Sequence, residues 1–147
     1  MASVTTSYVA GTAYQTRIET SVTTLTGDEP VGSGGDGAGP SPYELLLASV
    51  GHCTVLTMIL YARRKGWQID SASVHGTFER IISGDPVTGR TRTERITQEI
   101  SFAGPLSDEQ RMRILEIAHK CPVHRTLVNG LEIVTLEVRE DTVVLSE

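Results

Sequence analysis

The fold is decided by the stretch SPYELLLASVGHCTVLTMILYARRKG, which covers residues 41–66. Ser41 suits a helix N-cap, Pro42 suits the first helical position, and Glu44, three residues after the cap, closes a capping box. Gly66 follows three cationic residues and suits the C-cap, because cations stabilise the negative end of a helix dipole. The pattern predicts one long helix.

This predicted helix is apolar on nearly every side, since no residue in 45–62 carries a permanent charge. Such a helix is buried in a protein core or in a membrane. The uncharged run falls just short of the ~20 residues that cross a bilayer, and polar residues within it, such as His52 and Thr54, are costly in lipid. The sequence therefore favours a core helix and predicts no membrane partner.

Composition narrows the class of protein. A chain of 147 residues suits a single domain over 1–147, and its net charge of −5 argues against a nucleic-acid partner. Residues 1–13 show no signal-peptide pattern, so we expect a cytoplasmic protein. Two cysteines in such a protein are expected to be reactive or metal-binding rather than a structural disulfide.

The other segments predict strands and a second helix. The predicted strands cover residues 8–25 (as a strand or hairpin), 71–82, 90–102, 131–138 and Thr142–Leu145, and a mobile glycine-rich loop covers 31–42. A capping box at Ser107 opens the second helix, whose core-facing residues are predicted to be Met112, Leu115, Ile117 and Ala118. This order predicts an α+β fold with antiparallel sheets. Because one small chain cannot cover a helix that is apolar all round, we also expect a homodimer.

The two cysteines are the candidate reactive groups. Cys53 lies in the middle of the predicted long helix, where it is as readily a small core residue as a reactive one. Cys121 directly precedes Pro122, which fits the first position of a new helix, so Cys121 is a candidate N-cap. Backbone N–H groups and the helix dipole stabilise a thiolate there. If the two helices pack together, the sulfurs meet and can cycle between dithiol and disulfide.

Two charged residues are further candidates. Glu44 is most simply the capping-box partner of Ser41, and it lies nine residues before Cys53, or ~13 Å along a helix, so another group must connect the two. Arg17 is most simply a solvated strand residue. It is also the candidate arginine in the N-terminal part that would hold a thiolate and orient a peroxide oxygen.

A zinc site is an alternative use of the same cysteines. Cys121 and His124 have an acceptable ligand spacing, and His52 adjoins Cys53. Adjacent helical residues diverge by ~100°, so His52 and Cys53 do not easily bind one ion. We therefore expect neither a metal nor another cofactor.

The motifs around both cysteines resemble the OsmC/Ohr superfamily of osmotically induced and organic-hydroperoxide-resistance proteins. The resemblance rests on Asp28-Glu29-Pro30, the run GGDGAGPSPYELLLAS over residues 34–49, Gly51, Cys53, Tyr61-Ala62, Lys65-Gly66 and the run CPVHRTL over residues 121–127. It implies an intertwined homodimer with two interface sites that reduce hydroperoxides. It also implies that Cys53 is the peroxidatic thiolate, that Cys121 is the resolving thiol and that Glu44 belongs to the polar network around Cys53.

One feature departs from the peroxide-reducing branches, which place an arginine in a glycine-rich turn near the N-terminus. The corresponding turn here is Gly11-Thr12-Ala13-Tyr14, and Arg17 lies beyond it; the run GPSPYELLL is instead similar to the less characterised OsmC-like branch. We expect a peroxidase that reduces organic hydroperoxides through a Cys53 sulfenic acid and a Cys53–Cys121 disulfide, with an external dithiol as reductant. The alternative is a small-molecule-binding protein without peroxidase activity.

Overall fold

The computed structural model describes residues 1–139 and 142–145 and confirms an α+β fold with antiparallel sheets and one long helix. The described strands form three sheets: β1 (Thr5–Tyr8), β2 (Thr16–Glu19) and β3 (Thr24–Gly27), then β4 (Ser71–Asp85) with β5 (Gly89–Ala103), then β6 (Leu136–Arg139) with β7 (Thr142–Leu145). Three helices connect them: α1 (Pro42–Lys65), α2 (Asp108–Ala118) and α3 (Pro122–Asn129).

Helix α1 begins and ends where its capping residues predict. The Glu44 carboxylate accepts hydrogen bonds from the backbone N–H of Ser41 at 2.7 Å and from its hydroxyl at 2.9 Å. At the other end, Gly66 adopts a left-handed conformation with φ of 70° that a side chain would disfavour, and its N–H bonds back to the last turn. Both ends of the helix are thus fixed by local interactions.

The core lies on one side of α1. Within the helix, the buried residues are Val50, Thr54, Met58 and Ala62, which repeat every four positions and form one stripe. This stripe packs on β4 and α2, and Met58 joins Phe102, Ile114 and Ala118 in the core.

The other apolar faces of α1 stay open in one chain. Leu56 is 44% exposed and Leu60 is 54% exposed. The expectation of a helix buried all round is therefore not met by a single chain. By length and composition alone α1 could cross a membrane, a test that core helices of soluble proteins also pass.

Helix α2 turns a different face to the core from the one predicted. Ile114 and Ala118 are buried, whereas Met112 is 66% exposed and Leu115 is also on the surface. The predicted inward positions of Met112 and Leu115 were therefore wrong. The reason is that the aliphatic Ile114 packs against α1, while the guanidinium of Arg111, at 4.3 Å from the ring centroid, covers Phe102.

The predicted strands differ from the observed ones mainly at their ends. The hairpin of β4 and β5 runs further than predicted, to Asp85 and from Gly89. Region 8–25, predicted as a strand or hairpin, forms antiparallel pairs within a three-stranded meander that begins at Thr5. Residues 131–135 are not in a strand, and β6 begins only at Leu136.

Hydrogen bonds to the Asp28 carboxylate hold the glycine-rich loop before α1 in place. The Asp28 carboxylate is 4% exposed and accepts hydrogen bonds from the backbone N–H groups of Glu29, Asp36 and Ala38 at 2.8, 3.1 and 3.0 Å. These bonds, chiefly the one from Ala38, lower the pKa of Asp28. Asp28 therefore anchors this loop at Asp36 and Ala38, and the predicted mobility of the loop stays a prediction.

Candidate active site

Two cysteine thiols lie in contact between α1 and α3. Cys53 lies on the fourth turn of α1 and is half-buried, whereas Cys121 is fully buried with 0% exposure. Their side chains are within hydrogen-bond range of each other, and neither is part of a disulfide. The structure thus brings together the two residues that the sequence singled out.

Helix α3 positions both sulfurs at its N-terminus. Cys121 is its N-cap and Pro122 its first residue, and the Cys121 sulfur accepts a hydrogen bond from the His124 backbone N–H at 3.5 Å. The backbone N–H of Val123 lies close enough to the Cys53 sulfur to act against the rise in the pKa of that thiol. The first N–H groups of a helix have no partner within it, so they are free to bind sulfur.

Opposing effects act on the Cys53 thiol. Burial, followed by the neighbouring Cys121 thiol, raises the pKa of Cys53. The Val123 N–H and the Thr57 side chain act in the opposite direction, because they stabilise the thiolate. In one chain the raising effects win, so the environment seen here does not by itself activate Cys53.

Glu44 lies away from the thiols. Its carboxylate is engaged by Ser41, and these hydrogen bonds lower the pKa of Glu44. It is nine residues from Cys53, or ~13 Å along the helix axis. Within one chain Glu44 is therefore a capping residue.

Arg17 does not act on Cys53 within the described part of one chain. It lies in β2, its side chain is 60% exposed, and it pairs with Glu19 at 3.0 Å. The groups that influence the Cys53 thiol are Cys121, Val123 and Thr57. A role for Arg17 at the thiols would require a second subunit.

The histidines around the cysteines are separated. His52 lies on the exposed surface of α1, in a shallow depression with Gly51 and Val74, while His124 packs edge-on against His119 with ring centroids 6.2 Å apart. Among residues 1–139 and 142–145, no three His, Cys, Asp or Glu side chains are grouped to hold a metal. Cys121 and His124 are joined in this structure by a backbone N–H hydrogen bond.

A cleft of about 500 Å³ lies along α1 and α3 near the thiol pair, although neither cysteine lines it. Val50, one turn before Cys53, and His124, one turn after the α3 cap, both line it. The cleft is mostly apolar and extends along α1 to Tyr43. Its lining residues are Tyr43, Leu46, Val50, Phe78, Glu94, Arg95, Ile96, Gln98, Ile100, Ala118, His119, His124, Leu127 and Val128.

An aromatic pair forms the end of the cleft furthest from the thiols. The rings of Tyr43 and Phe78 are stacked with centroids 4.2 Å apart. Arg80 covers both rings and donates to the Tyr43 hydroxyl at 2.5 Å and to Glu94 at 3.1 Å. Arg80 and Glu94 thus neutralise each other at this end of the cleft. A ligand in the cleft would therefore contact mainly its apolar walls.

Two groups near the thiols and the cleft could not be predicted from the type of side chain at their positions. The Val123 donor is a backbone N–H, and the cleft residue Gln98 lies in a strand whose alternation revealed only that it is half-buried. The available signal was Pro122, which marks the start of a helix and so predicts unpaired N–H groups on the next two residues.

A family model described as OsmC-like protein matches residues 34–136, which include both cysteines. A comparison with curated proteins found no match. The match to the family model covers well over half of the chain.

Several solved structures share the fold. An OsmC-like protein from Mycoplasma pneumoniae superimposes with a TM-score of 0.70 at 22% identity, over 87% of each chain. A Psychrobacter arcticus protein named for osmotic stress induction and a detoxification response gives 0.64 at 23% identity, over 86% of this chain and 88% of that one. An organic hydroperoxide resistance protein from Legionella pneumophila gives 0.61 at 16% identity, over 85% and 88%. The chain belongs to the OsmC-like protein family.

Proposed function

We propose that this protein is a thiol-dependent peroxidase that reduces organic hydroperoxides. The observation that carries the proposal is the contact between the free thiols of Cys53 and Cys121, which come from separate helices. Two thiols in contact at a helix N-terminus are arranged for a dithiol–disulfide cycle. The name of the Legionella pneumophila relative, an organic hydroperoxide resistance protein, agrees with this chemistry.

The half-buried Cys53 is the sulfur that meets the peroxide, because Cys121 has no exposed surface. The Cys53 thiolate attacks the outer oxygen of ROOH, the O–O bond breaks, and the sulfur becomes a sulfenic acid while RO⁻ takes a proton and leaves as ROH. The Cys121 sulfur then attacks the Cys53 sulfur. A disulfide forms, and the hydroxyl leaves with the Cys121 proton as water.

An external dithiol closes the cycle. Its two thiols reduce the Cys53–Cys121 disulfide and are themselves oxidised to a disulfide, so both protein thiols are restored. The apolar cleft beside the pair supports an organic rather than an inorganic peroxide, because its walls bury hydrocarbon. The proposed cycle uses no metal and no cofactor.

The proposal includes a homodimer. The faces of α1 that a single chain leaves open, with Leu56 and Leu60, support it, because a partner subunit would remove them from water. Arg17 and Glu44 do not reach Cys53 in their own chain, so we assign them to the site only through the partner subunit. With a net charge of −5, we expect a cytoplasmic protein with no nucleic-acid or membrane partner.

Peroxide consumption tests the proposal. Reduced protein mixed with cumene hydroperoxide should consume one peroxide per chain, and with added dithiothreitol the consumption should continue. Cys53→Ser should abolish it. Cys121→Ser should keep the first oxidation, so that dimedone traps a sulfenic acid on Cys53, but form no intramolecular disulfide. Equal consumption by Cys53→Ser would contradict the proposed role of Cys53.

A second candidate function is the binding of a small apolar molecule without peroxidase activity. The cleft favours it, since its volume of about 500 Å³ lies in the range of ligand sites. Native mass spectrometry of the purified protein distinguishes the two. Binding alone predicts a bound molecule whose retention is unchanged in Cys53→Ser, and no consumption of peroxide by either protein.

A further inference from the structure

The two sulfurs of the thiol pair are not equivalent. Cys53 is half-buried and reachable, whereas Cys121 is completely enclosed. In addition, the Cys121 sulfur caps α3 and accepts the His124 N–H at 3.5 Å. In a disulfide between them, an incoming nucleophile could therefore reach the sulfur of Cys53 but not that of Cys121.

The surroundings of Cys121 suit a negative charge. The free N–H groups of the first turn of α3 give its N-terminus a partial positive charge. Lys120 and Arg125, both exposed, flank Cys121 within one turn, and no carboxylate lies in sequence from residue 117 to residue 131. A sulfur that departs from a disulfide leaves as a thiolate, and the His124 N–H at the N-terminus of α3 is the group in contact with Cys121 that stabilises this charge against the cost of burial.

We propose that reduction of the disulfide has a fixed direction: the external thiolate attacks the sulfur of Cys53, and Cys121 leaves as a thiolate held by the His124 N–H. The new S–S bond joins the reductant to Cys53, and the bond to Cys121 breaks with its electron pair on Cys121. The second thiol of the reductant then attacks the sulfur already bound to Cys53. This releases the Cys53 thiolate and the oxidised reductant. The proposal rests on the proposed function only in requiring the Cys53–Cys121 disulfide.

Cyanide reveals the direction of attack without any peroxide. It cleaves a disulfide into a thiocyanate on the attacked cysteine and a thiolate on the other, and base then cuts the chain before the modified cysteine. The full chain is oxidised with diamide, treated with cyanide and then with base, and the fragments are weighed. We expect cleavage before Cys53 to exceed cleavage before Cys121 by about tenfold. The same disulfide unfolded in urea should give nearly equal cuts.

Variants of His124 test the part played by the backbone. His124→Pro removes the N–H that binds Cys121, at a first-turn position whose N–H has no partner within the helix, and circular dichroism checks that the variant stays folded. It should lower the preference for Cys53, whereas His124→Ala, which keeps the N–H, should retain it. Equal cleavage at both cysteines in the folded wild-type chain, or failure of diamide to form the disulfide, would overturn the proposal. A chain that consumes no peroxide but shows the preference would overturn the peroxidase function alone.

Discussion

At the residue scale, the behaviour of the site depends on what surrounds the sulfur of Cys53. Burial and the Cys121 thiol raise the pKa of Cys53, and the Val123 N–H opposes them. A peroxidatic cysteine reacts as its thiolate, so the proposed activity requires either alkaline conditions or a further positive group. In one chain the described environment of Cys53 includes no arginine, so the proposed chemistry needs such a group from the proposed partner subunit.

The pH dependence of alkylation tests this environment. A raised pKa means that half of the Cys53 thiol ionises at a higher pH than in the unfolded chain, where the ordinary value is about 8.5. The rate of iodoacetamide labelling at Cys53, followed by peptide mass spectrometry, should therefore rise at more alkaline pH in a folded monomer than in urea, whereas the proposed dimer, which brings Arg17 to the thiol, should lower that midpoint. A folded midpoint below the unfolded one would show that a cation reaches the thiol, and Arg17→Gln would reveal whether it is Arg17.

The sequence predicted that Cys53 and Cys121 would meet if their helices packed together, and the structure places them together, whereas the roles of all four candidate residues stay predictions. Cys53 and Cys121 stand out because a cysteine in a long apolar helix and a Cys-Pro helix start are uncommon patterns with a chemical meaning. Glu44 has a capping role that its spacing from Ser41 already predicts. The role of Arg17 depends on which chain it approaches, and pairing between subunits is not encoded in any local pattern.

At the element scale, local signals fixed the helices better than the strands. The ends of α1 and the start of α3 follow from capping residues, because these act within one turn. Strand ends depend on a partner strand that is distant in sequence, so β6 began later and the β4–β5 hairpin ran longer than alternation predicts. The core-facing side of α2 was predicted incorrectly because the prediction placed only apolar residues inward. In the structure the side chain of Arg111 covers Phe102, while the apolar Met112 faces solvent.

The packing of α2 gives a stability prediction. Ile114 is fully buried in the core, so Ile114→Ala should lower the free energy of unfolding by about 2–5 kcal/mol. Ile82→Ala is the matched control, because Ile82 is 67% exposed and its truncation should change stability by less than ~0.5 kcal/mol. Urea unfolding at one fixed protein concentration measures both. Similar losses in the two variants would contradict the observed packing.

At the scale of the whole molecule, the single chain leaves part of its central helix uncovered. The stripe from Val50 to Ala62 is buried, while Leu56 and Leu60, one turn apart, form an open apolar face. The family fold was predictable from sequence because its motifs surround both cysteines. Which faces a second chain covers was not, since this is decided by shape complementarity across the whole surface.

The proposed dimer gives the prediction at this scale. Leu56→Glu or Leu60→Glu places a carboxylate on the open face. In the dimer this carboxylate would be buried with no opposite charge beside it, so each variant should shift the protein from dimer toward monomer. Light scattering after size-exclusion chromatography reports the mass. Val87→Glu is the control, because Val87 is 91% exposed at the tip of the hairpin and should leave the mass unchanged. A wild-type chain that runs as a monomer would contradict the dimer.

The most direct test of the account is the state of the two thiols after exposure to one equivalent of cumene hydroperoxide. We predict that peptide mapping by mass spectrometry shows a Cys53–Cys121 cross-link within each chain, which dithiothreitol reverses. The cross-link should be absent from Cys53→Ser and Cys121→Ser. Thiols that both remain free while the peroxide is intact would contradict the central claim that this thiol pair reduces hydroperoxides.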